Sequence, residues 1–392
     1  MQGIVNRIPR NLTLLQVTPE LETGGAEQTT LDINRAVVRI GGRSLVASRG
    51  GRMAEQLRAE GGELFELPMH SKNPLSIVGN TGKLLEIIQR EKVTLVHARS
   101  RAPALSALWA ARAAKIPFVA TYHGIYKAGN PLKRWYNSVM TQGSLVIANS
   151  EYTRAHVLRE HALNPNRVVT IPRGVDLARF DPKAVSADRL ADLRTEWRLR
   201  MDEPRLKVVL GGRLSPIKGH LSIIEAMAIL KAQGRHDILV IFAGDDQGRS
   251  DYRNEILAAI ARHDLKDRVS VVGHCDDMPA AYLACDMAML PTLKPESFGR
   301  AAVEPQAMGR PVLVSNHGGA VETVVEGETG WKLAVGDPAA WAAGLAVAAD
   351  TSVSKRAAMG KAAMLRARKL YSVDAMCAAT LDVYARILEG RA

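Results

Sequence analysis

Lys207-Val208-Val209-Leu210-Gly211-Gly212-Arg213-Leu214-Ser215-Pro216-Ile217-Lys218-Gly219-His220 reads as a short apolar strand, a glycine turn and the opening of a helix. Lys207 to Leu210 has strand length, the glycines and Ser215-Pro216 punctuate it, and Leu221 to Lys231 continues with helical periodicity. A strand feeding a helix through a tight turn is half of a βαβ unit. Followed outward, the same rhythm recurs. Toward the carboxyl end the candidate strands are Ile238 to Ala243, Val269 to Val272, Met287 to Pro291, Val312 to Ser315 and Trp331 to Val335, with a helix such as Asp251 to His263 between two of them. Toward the amino end they are Leu12 to Val17, Ser44 to Ser48, Leu64 to Pro68, Val93 to Ala98, Phe118 to Tyr122, Leu145 to Asn149 and Val168 to Ile171. Between the first two of these, Ala26, Thr30, Ile33, Val37 and Ile40 share one helical face, which ends at Gly41-Gly42. Such alternation specifies an α/β fold with parallel sheets. The rhythm breaks from Asp176 to Pro204, where charges and Asp181-Pro182 replace apolar runs, and the inter-domain connection is expected there.

The chain has 392 residues, of which 47% are hydrophobic, enough for two or three domains with sizeable cores. It contains no run of apolar residues long enough to span a bilayer, and MQGIVNRIPR at the start lacks the apolar core of a secretory signal, so a cytoplasmic protein is expected. Cys275, Cys285 and Cys377 lack metal-ligand spacing and are expected as reduced, mostly buried thiols. The net charge of +12 is unevenly spread: residues 1–180 carry 24 basic and 13 acidic side chains, against 28 and 27 in the remainder. A solvated basic face and an anionic partner met by the first half both account for that split.

Two segments carry chemistry. In the turn after Leu210, Arg213 offers a planar fork to phosphate oxygens and Lys218 a point charge beside a helix start, where anions are favoured. A solvated pair of surface cations is the alternative. The segment is not a Walker loop. In Lys294-Pro295-Glu296-Ser297-Phe298-Gly299-Arg300-Ala301-Ala302-Val303-Glu304, Glu296 falls in a loop and Glu304 in the helix opening near Gly299. Carboxylates accept paired hydroxyls of a ribose or pyranose, and the amides of Phe298 and Gly299 suit a phosphate. Serving the helix macrodipole is the lesser alternative for Glu304. Asp245-Asp246 and Asp276-Asp277 are adjacent pairs suited to turns, and no His/Asp/Glu cluster has metal-ligand spacing, so no metal site is expected.

The order and spacing of these motifs resemble the retaining glycosyltransferase family 4. The match rests on Arg213-x4-Lys218-Gly219, Glu296-x7-Glu304 with Ser-Phe-Gly, Gly309-Arg310-Pro311-Val312, Gly318-Gly319-x2-Glu322, Gly24-Gly25-Ala26-Glu27 and Ile171-Pro172-x-Gly174-Val175-Asp176. The resemblance implies a GT-B fold: an acceptor-side Rossmann-like domain over 1–178, a linker over 179–204, a donor-side domain over 205–370, and a last helix over 371–392 that crosses back. It implies a nucleotide-sugar donor such as a UDP- or GDP-sugar, held in the cleft between domains, with no further cofactor and no metal. By position, Arg213 and Lys218 would bind the diphosphate, Glu304 the ribose, Glu296 the transferred sugar, and Gly24 and Gly25 would let the backbone approach phosphates. His123, before Gly124, matches the family's cleft His-Gly. Arg173 and Arg300 depart from the family's usual Asn and apolar residue.

A glycan or lipid-linked acceptor is expected, anionic and at the inner face of the cytoplasmic membrane, in lipopolysaccharide or other cell-surface glycan synthesis. Tyr126 to Met140 mixes Lys127, Lys133 and Arg134 with Tyr126, Leu132, Trp135 and Tyr136 and is the expected membrane contact, with an ordinary amphipathic helix packing its aromatics inward as the alternative, and Arg99 and Arg101 are expected to touch acceptor anions. The competing classes are a nucleotide-sugar epimerase, a non-catalytic sugar-nucleotide sensor, and a nucleic-acid binder suggested by pI ≈ 9.7 alone, without a recognition motif.

Overall fold

Side chains of a strand alternate between faces, so a strand whose residues are all apolar must be covered on both sides. In the first strand, β1 (Thr13–Val17), Leu15 and Val17 pack under the helices Pro74–Arg90 and Arg101–Ala113. Leu14 and the preceding Leu12 face the helices Gly25–Arg39 and Val373–Leu388. The computed structural model describes residues 12–22, 24–126, 129–248 and 250–390. MQGIVNRIPR and Lys127 lie outside the described residues.

Contacts divide the chain into two units, with the chain passing from one to the other at Gly174–Val175 and returning at Ser372–Val373. In the first unit β1 is joined by β2 (Arg43–Ser48), β3 (Glu63–Glu66), β4 (Leu95–Ala98), β5 (Phe118–Tyr122), β6 (Leu145–Ala148) and β7 (Val168–Thr170). Their order is β3-β2-β1-β4-β5-β6-β7, with every pair parallel. The order reverses between β1 and β4. In open parallel sheets that reversal leaves a crevice beyond the strands' carboxyl ends, where ligands bind.

The second unit repeats the plan with β8 (Leu206–Gly211), β9 (Ile238–Ala243), β10 (Val269–Gly273), β11 (Met287–Leu290), β12 (Val312–Ser315) and β13 (Gly330–Leu333). The order is β10-β9-β8-β11-β12-β13, all parallel, reversing between β8 and β11. One face, with Val208 and Leu210, is covered by the helices His220–Ala232, Ser250–Arg262 and Pro338–Asp350. Val209, Ile241 and Ala288 on the other face meet the helices Ala187–Glu196, Met278–Ala284, Arg300–Ala307 and Val353–Leu370. Ala187–Glu196 lies inside the charge-rich stretch after Asp176, and its Leu193, with Trp197 and Leu199 beyond it, is buried in this core. Each fully buried Leu or Ile of this kind contributes about 1.5–3 kcal/mol of transfer free energy.

All thirteen strands expected from the apolar runs are present, so the α/β reading with parallel sheets holds. The three cysteines are free thiols, Cys285 and Cys377 buried and Cys275 partly so. Among the described residues, no helix is long and apolar enough to cross a membrane.

Candidate functional site

In the second unit the sequence candidates gather at the β8/β11 reversal. The ladder between β8 and β9 runs on past the strands: Gly212 N–H donates to Ala243 O at 2.9 Å and Leu214 N–H to Asp245 O at 2.8 Å. This holds Arg213 out at the sheet's end, exposed, where it donates to Gln247 Oε1 at 3.0 Å. The chain then turns through Pro216–Lys218 to Gly219, whose φ is +79°. A Cβ at Gly219 would lie 2.0 Å from Pro291 O, so only glycine lets this turn press against the chain leaving β11. Leu293 N–H donates to Ile217 O at 2.8 Å and ties the same two segments.

That contact carries Lys218 to Glu296, Nζ to Oε1 at 2.8 Å, with the side chains 18% and 30% exposed. The loop bearing Glu296 rests on a feature the sequence displayed only as a motif match. Gly319 N–H donates to Glu296 O at 2.7 Å, and a Cβ at Gly318 or Gly319 would strike the backbone of Glu296 or Ser297 within 2.6 Å. The glycine pair is thus the floor under Glu296. Phe298 turns inward against Tyr371, so only its backbone can serve a ligand. Gly299, at φ +93°, caps the helix Arg300–Ala307.

Glu304 lies one turn along that helix. Arg300 Nη2 meets its Oε1 at 2.9 Å, and the Tyr282 hydroxyl lies beside it. Burial raises the Glu304 carboxyl above its usual range, opposed by the Arg300 and Arg179 cations. Arg300, a departure from the family pattern, is therefore engaged with a site carboxylate.

In the first unit, Gly24 precedes and Gly25 opens the helix after β1, and the segment after β4 begins with Arg99. A Cβ at Gly25 would fall 2.1 Å from Arg173 Nη1, so the space opened by this glycine is occupied by the Arg173 guanidinium. His123 follows β5, and Asn149 Nδ2 donates to its carbonyl at 3.3 Å. Burial, then the charges of Arg173 and Arg99, hold its imidazole well below the ordinary histidine range, so it is neutral at physiological pH.

Two expectations are corrected here. Arg99 is not free for an acceptor anion: it is 2% exposed, and its Nε and Nη2 both donate to Gln16 Oε1, at 3.0 and 2.6 Å. Arg101 stacks over the Tyr126 ring at 4.1 Å and donates to Asn137 Oδ1 at 2.7 Å. The second correction concerns the aromatics between Tyr126 and Met140. Tyr126 packs against Tyr122, and the Tyr136 hydroxyl donates to Arg101 O at 3.1 Å. Of the apolar and aromatic residues expected at the interface, Leu132 and Trp135 face outward, 73% and 52% exposed, beside exposed Lys133 and Arg134. Both tyrosines are thereby half-buried, and the Tyr136 hydroxyl is satisfied inside the unit.

Among the described residues, no group of three or more His, Cys, Asp or Glu is placed to hold a metal ion. Asp277 caps the helix Met278–Ala284 and binds Arg189 through both oxygens.

Comparison with known proteins agrees with this architecture. Residues 194–366 match the glycosyl transferases group 1 family, and residues 23–179 match glycosyltransferase family 4. A crystallised glycosyltransferase from Rickettsia africae superposes with a TM-score of 0.88 at 30% identity, covering 97% of this chain and 99% of that one. Anabaena HepE, solved with UDP and glucose, superposes at 0.79 with 23% identity over 95% of this chain and 99% of its own, and shares the fold. The D-inositol 3-phosphate glycosyltransferase of Salinispora tropica is 33% identical over 257 residues, 63% of this chain and 52% of that protein. The chain spans about half the length of the curated relatives it matches. With both halves matched in order, and two parallel sheets each reversing once in strand order, the chain belongs to glycosyltransferase family 4 and has the GT-B fold.

Proposed function

We propose that this protein transfers a hexosyl group from a nucleoside-diphosphate sugar to an anionic acceptor with retention of anomeric configuration. The observation that carries the proposal is the Lys218–Glu296 pair at the β8/β11 reversal, with Arg213 exposed beside it. Breaking the anomeric bond puts negative charge on the leaving diphosphate, and cations fixed before the reaction stabilise that charge more in the transition state than in the bound donor. An ammonium has three donors. With one on Glu296, Lys218 keeps two for phosphate oxygens, and Arg213 adds its fork. Glu296, oriented by Lys218 and the glycine floor, accepts hydroxyls of the transferred sugar, and Glu304 accepts those of the ribose. The Phe298 and Gly299 amides, at the start of the helix Arg300–Ala307, add to the phosphate contacts. In the first unit, neutral His123 supplies a hydrogen-bonding imidazole without a charge, and Gly24 and Gly25 set the entry of the helix beneath Arg173.

HepE holds UDP and glucose, which supports a UDP-sugar as donor. The Salinispora relative is named for D-inositol 3-phosphate, which supports an anionic acceptor. The basic first half supports the same, and Leu132, Lys133, Arg134 and Trp135 together suit an anionic membrane carrying a lipid-linked glycan precursor, of lipopolysaccharide or another surface polymer. The test is to incubate the protein with labelled UDP- and GDP-sugars, with and without a membrane extract. Transfer of label only in the presence of extract, with the donor's anomeric configuration kept, is expected. Conversion of the donor sugar without any acceptor would identify an epimerase instead.

A further inference from the structure

The helix Arg300–Ala307 begins with a cation, directly after its Gly299 cap. A helix amino end favours anions, so Arg300 stands where its charge opposes the macrodipole. The pair it forms with Glu304 runs Arg-then-Glu at four-residue spacing, the weaker orientation for helix support. Helix stability therefore gives no reason for an arginine here. The carboxylate gives one. Glu304 is 15% exposed, packed beside the Tyr282 hydroxyl, and a carboxylate removed from water is costly unless a cation meets it.

We propose that Arg300 is a positioning residue that, through its 2.9 Å contact with Oε1, fixes the Glu304 carboxylate so that Oε2 remains for the vicinal hydroxyls of a ligand. This rests on the reading of Glu304 as the ribose acceptor. The charged and titratable groups facing Glu304 are Arg300 on its own helix, Tyr282 on Met278–Ala284 and Arg179 after the chain's entry into the second unit. Burial pushes the carboxyl up and the two arginines push it down. With Arg300 gone, burial wins further, the carboxyl holds its proton to higher pH, and hydroxyl binding fails first on the acid side.

The experiment measures binding of UDP and 2′-deoxy-UDP, and of GDP and 2′-deoxy-GDP, to the full chain from pH 5.5 to 8.5. Wild type is expected to prefer the ribose form of one nucleotide across this range. In R300L, with a good helix former in place, the acid limb of that preference is expected to move to higher pH. R300K, which restores charge without the fork, is expected to recover part of the shift. Weaker binding in R300L by the same factor at every pH, or an unmoved acid limb, overturns the proposal. E304A separates the two readings. If it keeps the ribose preference, or if wild type shows none, the assignment of Glu304 fails and this inference falls with it. If E304A loses the preference while R300L keeps the wild-type profile, only the role of Arg300 fails.

Discussion

Lys218→Ala asks whether the cation at the β8 turn belongs to the reaction or to the fold, because the two roles predict effects of different size. Its ammonium meets Glu296 at 2.8 Å, with the side chains 18% and 30% exposed, and it anchors no core residue. A partly exposed ion pair of this kind contributes about 0–1 kcal/mol to stability. For units of this size that is a loss of at most about 4 °C in Tm. The role proposed in transfer is larger. Removing one fixed stabiliser of transition-state charge costs about 2–4 kcal/mol, or roughly 30- to 900-fold in rate. The assay is kcat/KM for sugar transfer beside thermal unfolding, on K218A, E296Q and the double variant. A loss of about two orders of magnitude with Tm almost unchanged is expected. Because Lys218 orients Glu296, the double variant should lose less than the product of the two single losses. A K218A enzyme within about threefold of wild type would refute the reasoning. So would a fall of more than about 10 °C in Tm, which would make Lys218 a structural residue.

Gly219→Ala is expected to abolish most transfer, since the added Cβ meets Pro291 O at 2.0 Å in a backbone of φ +79° and must part the two segments that bring Lys218 to Glu296. Gly234→Ala is its control: φ is +74° with nothing within 4 Å, so a loss of about 1–2 kcal/mol in unfolding free energy with transfer kept is expected. Transfer is expected to survive EDTA, and loss with EDTA restored by a divalent ion would count against diphosphate stabilisation by Arg213 and Lys218 alone. Sedimentation with anionic vesicles is expected at low salt and to weaken at moderate salt, with Leu132→Ser/Trp135→Ser reducing it at both. Unchanged binding of that double variant would remove the helix Pro131–Ser138 from the contact.

The strands were legible because a strand covered on both faces is mostly apolar, and that leaves a nearly continuous run in one dimension. Val208, Val209 and Leu210 are consecutive in sequence and face two different cores. The helix Ala187–Glu196 was hidden for the converse reason. It buries Leu193 and little else of its own length, so charges dominate its sequence and its anchors, Trp197 and Leu199, come after it ends. The candidate site was legible in its residue types and not in its pairings. Arg213, Lys218, Glu296 and Glu304 could be named from motifs, but the Lys218–Glu296 contact follows from β8 lying beside β11, and strand order is not written in any local stretch.

Charge shows the same limit more sharply. A basic residue in a sequence reads as solvent-facing, yet several cations of the first half are buried or half-buried and bound by neutral oxygens, while most of its described cations stay exposed. Arg99 is bound by Gln16, Arg154 donates to the carbonyls of Val168 and Pro165, and Arg167 donates to those of Thr141 and Gly143. Hydrogen bonds to neutral oxygens do not cancel charge, so the long-range field of the basic half survives and still draws anions toward it. What burial removes is direct contact. Steering of anions is therefore expected from the whole first half, whereas the proposed anchoring draws on exposed cations that stand beside exposed apolar side chains, Lys133 and Arg134 beside Leu132 and Trp135. Salt and substitution should act separately on the two: screening weakens the approach of any anion, and loss of Leu132 and Trp135 weakens only the hold on a membrane that an apolar side chain can enter.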